Sequence, residues 1–179
     1  MRVIAGTYGG RTLKAPPGDA TRPTSDRVRE ALFSILGDAV EGARVLDLFA
    51  GSGALGLEAL SRGAASAVFV DSDRVAAETV LRNLDKLGLE GARVYREDAG
   101  RRLVSDAAAG RRYDLVLVDP PYRMLPKFLP MLATRLPSVL APDGLAVVES
   151  EAKEEPALPL PVRTSRKYGS TRVTLFEGK

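Results

Sequence analysis

The segment Asp119-Pro120-Pro121-Tyr122 follows directly after the apolar run 115–118. Two successive prolines cannot continue a β-ladder, so the chain must leave the sheet at the carboxyl end of a strand, where open α/β sheets bind ligands. The Asp119 carboxylate and the Pro120 carbonyl are acceptors for the two hydrogens of a planar amino group, and they would direct its delocalised lone pair toward an electrophile. Tyr122 offers a ring face for a stacked base. The motif predicts chemistry on an exocyclic amine, with a rigid surface turn as the simpler alternative.

A glycine-rich loop over 47–56 lies between the first strand and the first helix of the predicted α/β region. Gly51 and Gly53 allow close approach between backbone and ligand, and Asp71, which ends the next predicted strand, is placed to accept hydrogen bonds from ribose hydroxyls. The glycine spacing alone matches the dinucleotide fingerprint. Asp47 lies at the strand end just before the glycines, where its carboxylate would repel a pyrophosphate and would suit a ligand with an ammonium and a sulfonium group. The alternative is a strand-to-helix turn that binds no ligand.

A third carboxylate, Asp98, follows the third predicted strand. It is placed to accept a hydrogen bond from an adenine amino group. An Asp at this position is also an ordinary N-cap for the following helix, and the sequence leaves both interpretations open.

Strands and helices alternate from residue 43 onward, which predicts an open, doubly wound α/β domain with a mostly parallel sheet. The last two strands are separated only by Gly169-Ser170, which predicts an antiparallel hairpin at the sheet edge. The candidate strands are 44–48, 67–71, 93–96, 114–118, 145–149, 162–168 and 172–176, and the candidate helices are 53–62, 73–87, 100–109 and 126–139.

A hairpin, a proline-rich stretch and a helix precede this alternating pattern. Gly9-Gly10 between the short runs 2–5 and 11–14 predicts a β-hairpin. Apolar residues at 28, 31, 32, 35 and 36 predict an amphipathic helix, with Thr24, Ser25 or Asp26 as its cap. We therefore divide the chain into an N-terminal basic segment, residues 1–24, and a second domain, residues 25–179.

The chain has a formal net charge of +3 and contains neither Cys nor His. Their absence excludes disulfides, thiolate and imidazole metal sites, and nucleophilic catalysis by Cys or by Ser with His. Residues 1–29 carry six basic and two acidic side chains. This basic front end indicates a polyanionic partner, although a solvated Arg-rich surface would have the same composition. The candidate RNA-binding residues are Arg2, Arg11, Lys14, Arg22 and Arg27, of which the last two are also placed to pair with carboxylates and cap the fold.

Four segments, RVIAGTYGGRTLKAP, RPTSDRVREALFSIL, DLFAGSGALGLEALSRGA and DLVLVDPPY, together resemble the bacterial 16S ribosomal RNA guanine-N2 methyltransferase D family over essentially the whole chain. The resemblance implies a Rossmann-like class I methyltransferase with a seven-stranded sheet and S-adenosylmethionine as cofactor. It implies N2-methylation of one guanine in small-subunit rRNA, with Asp119 to Tyr122 at the transfer point. The positions implied around the cofactor are Asp47, Phe49, Gly51, Gly53, Asp71 and Asp98, to which we add the neighbouring Ser72 and Ala99.

Other functions compete with this interpretation. A DNA adenine-N6 methyltransferase uses the same acceptor motif but usually carries a large recognition segment, for which 179 residues leave no room. A protein glutamine methyltransferase would have Asn in place of Asp119. A non-catalytic RNA-binding module would use only the basic front end, and a dehydrogenase only the glycine loop. We expect a cytoplasmic protein that acts on 16S rRNA or an assembling small ribosomal subunit, with no metal ion and no membrane contact.

Overall fold

A computed structural model describes residues 1–17 and 25–179 of the chain. A seven-stranded sheet lies at its centre. The strands are β1 (Arg44–Asp47), β2 (Ser66–Asp71), β3 (Ala92–Arg96), β4 (Tyr113–Val118), β5 (Leu140–Glu151), β6 (Val162–Tyr168) and β7 (Thr171–Glu177). They lie in the order β3-β2-β1-β4-β5-β7-β6. The first five are parallel, and β7 and β6 form an antiparallel hairpin at the edge. The predicted α/β class, mostly parallel sheet and C-terminal hairpin are confirmed.

Helices cover both faces of the sheet. The helices are α1 (Asp26–Leu36), α2 (Ala54–Ser61), α3 (Arg74–Leu87), α4 (Ala99–Ala108) and α5 (Leu125–Arg135). Apolar side chains of α1, α2 and α3 form one core cluster with one face of the sheet, and those of α4 and α5 form a second cluster with the other face. Both faces of β1 and β4 are therefore buried, which explains why these strands are apolar without alternation.

Two element boundaries differ by more than two residues from the sequence prediction. The last helix ends at Arg135 instead of residue 139, because Leu136–Ser138, which contains Pro137, forms a separate 3-10 turn. Strand β5 begins at Leu140, five residues earlier than predicted, because Leu140 pairs with Tyr113 before the register shifts. The first helix starts as expected, with the Ser25 hydroxyl accepting a hydrogen bond from Val28 N at 3.2 Å.

The predicted N-terminal hairpin is present in a shortened form, in which backbone hydrogen bonds join residues 1–3 to residues 10–13 around an antiparallel bridge between Arg2 and Thr12. Its arm ends at Val3, because Ile4 N and Ala5 N donate to the Glu58 carboxylate of α2 at 2.8 and 3.1 Å. Val3 and Leu13 are buried within the first core cluster. Residues 1–13 are thus packed onto the α/β body, and the division of the chain at residue 24 stays a prediction.

Glu58 is also the centre of a buried ionic cluster. The side chains of Glu58 and Arg29 are fully buried, with Arg29 Nε 3.7 Å from Glu58 Oε2. Arg62 Nε donates to Glu58 Oε1 at 2.8 Å, and its guanidinium lies over the Phe33 ring. The cluster links α1, α2 and the N-terminal segment, so removing one charged partner would leave another buried and uncompensated.

No helix in the two described ranges is both long enough and apolar enough to span a membrane.

Candidate functional site

A cavity of about 750 Å³ opens at the carboxyl ends of β1, β2, β3 and β4. The strand order reverses between β1 and β4, which is where open α/β sheets bind their ligands. Ten predicted catalytic and cofactor residues line the cavity. They are Phe49, Gly51, Asp71, Ser72, Asp98, Ala99, Asp119, Pro120, Pro121 and Tyr122. The other two, Asp47 and Gly53, are not part of the described wall.

The glycine loop connects β1 to α2 through two residues with left-handed backbone conformations. Gly51 has φ 56°, and its N–H donates to Asp71 Oδ2 at 2.9 Å. Gly53 has φ 83° at the N-cap of α2, and a Cβ at this position would lie 3.2 Å from the Val80 side chain. Backbone conformation and packing against α3 therefore account for glycine at position 53. Contact between Gly53 and a cofactor stays a prediction.

Asp71 holds the glycine loop and the start of the following turn together. Its Oδ1 accepts from Asp73 N and its Oδ2 from Gly51 N, each at 2.9 Å. Burial raises the pKa of Asp71; the two N–H donors oppose this shift, and the Asp73 carboxylate adds to it. Each oxygen of a carboxylate has a second lone pair, so this half-buried side chain is able to accept further hydrogen bonds from a ligand.

Asp47 lies behind the glycine loop and is almost completely buried. Its Oδ2 accepts from Gly56 N at 3.0 Å, while Oδ1 has no hydrogen-bond partner among the described residues. Burial raises the pKa of Asp47 to about 7, the Gly56 hydrogen bond lowers it, and the Asp71 carboxylate raises it. A cation in the cavity would favour the ionised form, because an opposite charge offsets the loss of hydration.

Asp98 and Phe49 combine a structural contact with a place on the cavity wall. Asp98 is the N-cap of α4 and accepts from Arg101 N at 3.0 Å, which confirms the capping interpretation. Its exposed carboxylate also lines the cavity, so the adenine-binding interpretation stays a prediction. The Phe49 ring packs against Phe128 of α5, with a centroid distance of 4.9 Å. Ser72 is exposed on the wall, and Ala99 begins α4.

The acceptor motif begins where β4 ends. Asp119 is partly exposed, Pro120 is buried, and both line the cavity. The Pro121 carbonyl accepts from Met124 N at 2.8 Å, which closes the 3-10 turn Tyr122–Met124 that leads into α5. The prolines and this turn fix the direction in which the chain leaves the sheet.

Two residues from other strands hold the phenol of Tyr122. The hydroxyl donates to Glu149 Oε1 at 2.9 Å and is hydrogen-bonded to the Thr171 hydroxyl. Burial raises the pKa of Tyr122 above its usual value, the Thr171 hydroxyl opposes the shift, and the carboxylates of Glu149 and Asp119 add to it. The phenol therefore stays protonated at neutral pH.

The charged side chains that line the cavity are acidic. Asp73 and Glu97 join Asp71, Asp98 and Asp119 on the wall, and none of the described lining residues is Lys or Arg. Sequence reasoning missed Asp73 and Glu97, although each lies within two residues of a predicted site carboxylate. Such a wall favours a cationic ligand and opposes a pyrophosphate. Within residues 1–17 and 25–179, no group of three or more Asp or Glu side chains is arranged to hold a metal ion.

The N-terminal segment supplies a further part of the wall, which the sequence did not indicate. Met1 and residues 15–17 line the cavity. Asn83 of α3, fully buried, fixes this segment, since its Oδ1 accepts from Lys14 N at 2.8 Å and its Nδ2 donates to Lys14 O at 2.9 Å. The same Nδ2 donates to Ser52 O of the glycine loop at 2.9 Å. One amide therefore joins the N-terminal segment to the glycine loop.

Comparison with known proteins identifies the family. A family model described as "Conserved hypothetical protein 95" matches residues 1–177. Ribosomal RNA small subunit methyltransferase D of Escherichia coli (strain K12) is 42% identical over 155 residues, which cover 86% of this chain and 76% of the relative. The chain belongs to this family. YlbH of Bacillus subtilis (strain 168) is 42% identical over 185 residues, with 99% of this chain and 98% of the relative covered.

A solved structure supports the same relationship. The structure of yhhF from Escherichia coli superposes with a TM-score of 0.84 at 36% identity, and covers 100% of this chain and 98% of that one. The family resemblance recognised in the sequence and the Rossmann-like fold are both confirmed.

The candidate RNA-binding residues that the structure describes are not part of the cavity wall. Arg2 and Arg11 are exposed, the former in an ion pair with α1 and the latter in a hydrogen bond to a carbonyl of α3. Lys14 and Arg27 are also exposed. Arg22 lies outside the described residues. Contact between these side chains and RNA stays a prediction.

Proposed function

We propose that the chain is an S-adenosylmethionine-dependent methyltransferase that methylates the exocyclic N2 amino group of one guanine in 16S rRNA. One observation carries the proposal. The acceptor motif Asp119–Tyr122 lines the same cavity as the glycine loop and Asp71, so a cofactor site and an amine-binding site adjoin each other.

The cavity fits the charge and the functional groups of S-adenosylmethionine. Its volume of about 750 Å³ lies within the usual range for small-molecule sites. The acidic wall favours a ligand with ammonium and sulfonium groups. In the proposed arrangement Asp71 accepts from the ribose hydroxyls, Asp98 accepts from the adenine amino group, and Phe49 supplies an aromatic wall. The buried Asp47 adds negative potential behind the glycine loop. Bound there, the cofactor supplies an electrophilic methyl group.

Asp119 and Pro120 would prepare the amine for transfer. A guanine amino group is a weak nucleophile because its lone pair is delocalised into the ring. An anionic oxygen of Asp119 and the Pro120 carbonyl would each accept one amine hydrogen and localise the lone pair on nitrogen. Proline has no N–H that would compete for these acceptors. After transfer, the surplus proton on nitrogen passes to a carboxylate oxygen of Asp119.

The substrate assignment rests on the family and on the basic N-terminal segment. The Escherichia coli relative is named for methylation of small-subunit ribosomal RNA. We propose that residues 1–24 and the first turn of α1 dock 16S rRNA, free or in an assembling small subunit, through Arg2, Arg11, Lys14, Arg22 and Arg27. Such a substrate places the protein in the cytoplasm.

DNA adenine-N6 methylation is a weaker candidate, since the acceptor motif suits either amine. Between Tyr122 and α5 the chain makes only a 3-10 turn, so no recognition segment is inserted beside the motif. A dehydrogenase is disfavoured by the five carboxylates on the wall, which would repel the pyrophosphate of NAD.

Nucleoside mass spectrometry of rRNA from a strain that lacks this gene tests the proposal. N2-methylguanosine should be lost from one position of 16S rRNA and restored by the wild-type gene. Unchanged rRNA methylation in the deletion strain would contradict the proposal, and a loss of N6-methyladenine from DNA would support the second candidate. Calorimetric titration should show binding of S-adenosylmethionine and no binding of NAD.

A further inference from the structure

Tyr122 connects the cavity to a polar pair inside the sheet. Tyr122 lines the cavity, and its hydroxyl is hydrogen-bonded to Glu149 of β5 and Thr171 of β7. Glu149 is 6% exposed and Thr171 is 4% exposed, whereas Tyr122 is only partly buried. Neither Glu149 nor Thr171 is among the described lining residues. Glu149 and Thr171 therefore act on the cavity through their hydrogen bonds to Tyr122.

The strand register places the two anchors on one face of the sheet. In the antiparallel pair β5–β7, Glu149 lies opposite Val173 and Glu151 lies opposite Thr171. Glu149 and Thr171 are thus diagonal neighbours, within reach of one side chain that crosses above them. The two strands are paired from Leu145 to Glu151, so the ladder fixes the spacing between the two anchors.

We propose that Glu149 and Thr171 are positioning residues that hold the Tyr122 ring in the orientation on which the target base stacks. This inference rests on the proposed function, because it assumes that a base enters beside Asp119. A tyrosine ring without its anchor samples several rotamers, and stacking a base on it would first require the ring to be ordered. The anchored ring avoids that loss of entropy and keeps the amino group at the Asp119 carboxylate.

The protonation state of the phenol agrees with this role. Burial raises the pKa of Tyr122, and the Glu149 carboxylate raises it further against the opposing effect of Thr171. The hydroxyl remains a donor, and a charged acceptor gives the stronger type of hydrogen bond.

A double-mutant cycle tests whether Glu149 and Thr171 act on methyl transfer through the Tyr122 hydroxyl. Tyr122→Phe keeps the ring and removes the anchor, while Glu149→Gln and Thr171→Val change the anchors with little change in volume. Each single variant should lower kcat for methylation of small ribosomal subunits by roughly 3- to 10-fold, the range for one hydrogen bond. KM for the subunit and the Kd for S-adenosylmethionine should stay within about twofold of wild type. In the Y122F background, neither E149Q nor T171V should lower kcat further.

Tyr168→Phe is the matched control, because it removes the same hydroxyl from a tyrosine that is not among the described lining residues. Its kcat should equal that of the wild type. A Y122F variant with wild-type kcat would overturn the inference, as would equal losses from E149Q or T171V in the presence and absence of the Tyr122 hydroxyl. Thermal unfolding identifies a variant that does not fold, and the remaining anchor variant then completes the cycle. If wild-type protein transfers no methyl group to rRNA, the proposed function fails and this inference with it.

Discussion

Replacing Asp71 by Ala should weaken binding of S-adenosylmethionine by about 10- to 150-fold. Asp71 lies on the cavity wall, and its two oxygens already accept from Gly51 N and Asp73 N at 2.9 Å. The substitution removes the proposed ribose acceptor and also removes the hydrogen bond from Gly51 N, which helps to hold the glycine loop to the end of β2. Both effects lower the affinity for S-adenosylmethionine.

The magnitude follows from the charged acceptor. A hydrogen bond to an ionised group contributes about 1.5–3 kcal/mol, which corresponds to about 10- to 150-fold in Kd. The two lost backbone contacts add to this, but water reaches the half-buried Asp71 and replaces part of them. The tenfold figure is therefore the lower limit. Asp71→Asn should fall between Ala and wild type, because one amide oxygen remains while the NH2 group faces a backbone N–H.

Isothermal titration calorimetry with S-adenosylmethionine measures this effect. Asp114→Ala is a matched control, since the Asp114 carboxylate also accepts from a backbone N–H, that of Arg44 at 2.8 Å, but at the opposite end of the sheet. D114A should bind the cofactor with wild-type affinity. A folded D71A protein whose Kd lies within twofold of wild type would refute the assignment of Asp71 to the cofactor.

Three further predictions concern stability and RNA binding. Gly53→Val should lower the free energy of unfolding by about 1–3 kcal/mol in urea titrations, because φ 83° is strained for valine and its Cβ would contact Val80. The stability of the apo protein should fall as pH rises from about 4 to about 7, since the folded state keeps a proton on Asp47, whose pKa is about 7, and the unfolded state does not. The slope in this window should reach about 1.4 kcal/mol per pH unit and should be smaller in Asp47→Asn. Neutralising Arg11 together with Lys14 should weaken rRNA binding and flatten the slope of log K against log salt by about 1.4 to 1.8, with no change in cofactor affinity.

Each of these three has a defined opposing result. Equal urea midpoints for wild type and G53V would show that the left-handed turn tolerates a side chain. Identical pH profiles for wild type and D47N would mean that Asp47 is ionised in both folded and unfolded states across the window. For RNA binding, the control is Arg112→Gln just before β4, since Arg112 is exposed and lies outside the N-terminal segment. An unchanged salt slope in the Arg11 and Lys14 double variant would place the docked RNA elsewhere.

The residues that lie at strand ends were predictable from the sequence. In a parallel sheet the carboxyl ends of the strands meet at one edge, so Asp71, Asp98 and Asp119 converge once the strands are recognised. Gly51 was recognisable from the spacing of the glycine loop. Local rules of this kind predicted the sheet and ten of the residues that line the cavity.

Contacts between distant parts of the chain were not predictable in this way. The Tyr122 hydroxyl is hydrogen-bonded to Glu149 and Thr171, which lie 27 and 49 positions further along the chain. Asn83 is hydrogen-bonded to Lys14, which lies 69 positions before it. Glu58 binds the backbone of Ile4 and Ala5, so the predicted hairpin is shorter than its sequence pattern indicated. The only local signal for Asn83 and Glu58 was a polar side chain at a buried position of a helix, which does not reveal its partner.

In the proposed mechanism, Asp119 acts on the amine during methyl transfer and not on the cofactor. Single-turnover transfer from labelled S-adenosylmethionine to small ribosomal subunits, measured with wild type and Asp119→Ala, tests it most directly. The variant should transfer roughly 100-fold more slowly or worse, since the lost interaction stabilises the transition state, while its cofactor Kd should stay within about twofold. A folded D119A protein that transfers methyl groups at the wild-type rate would contradict the account.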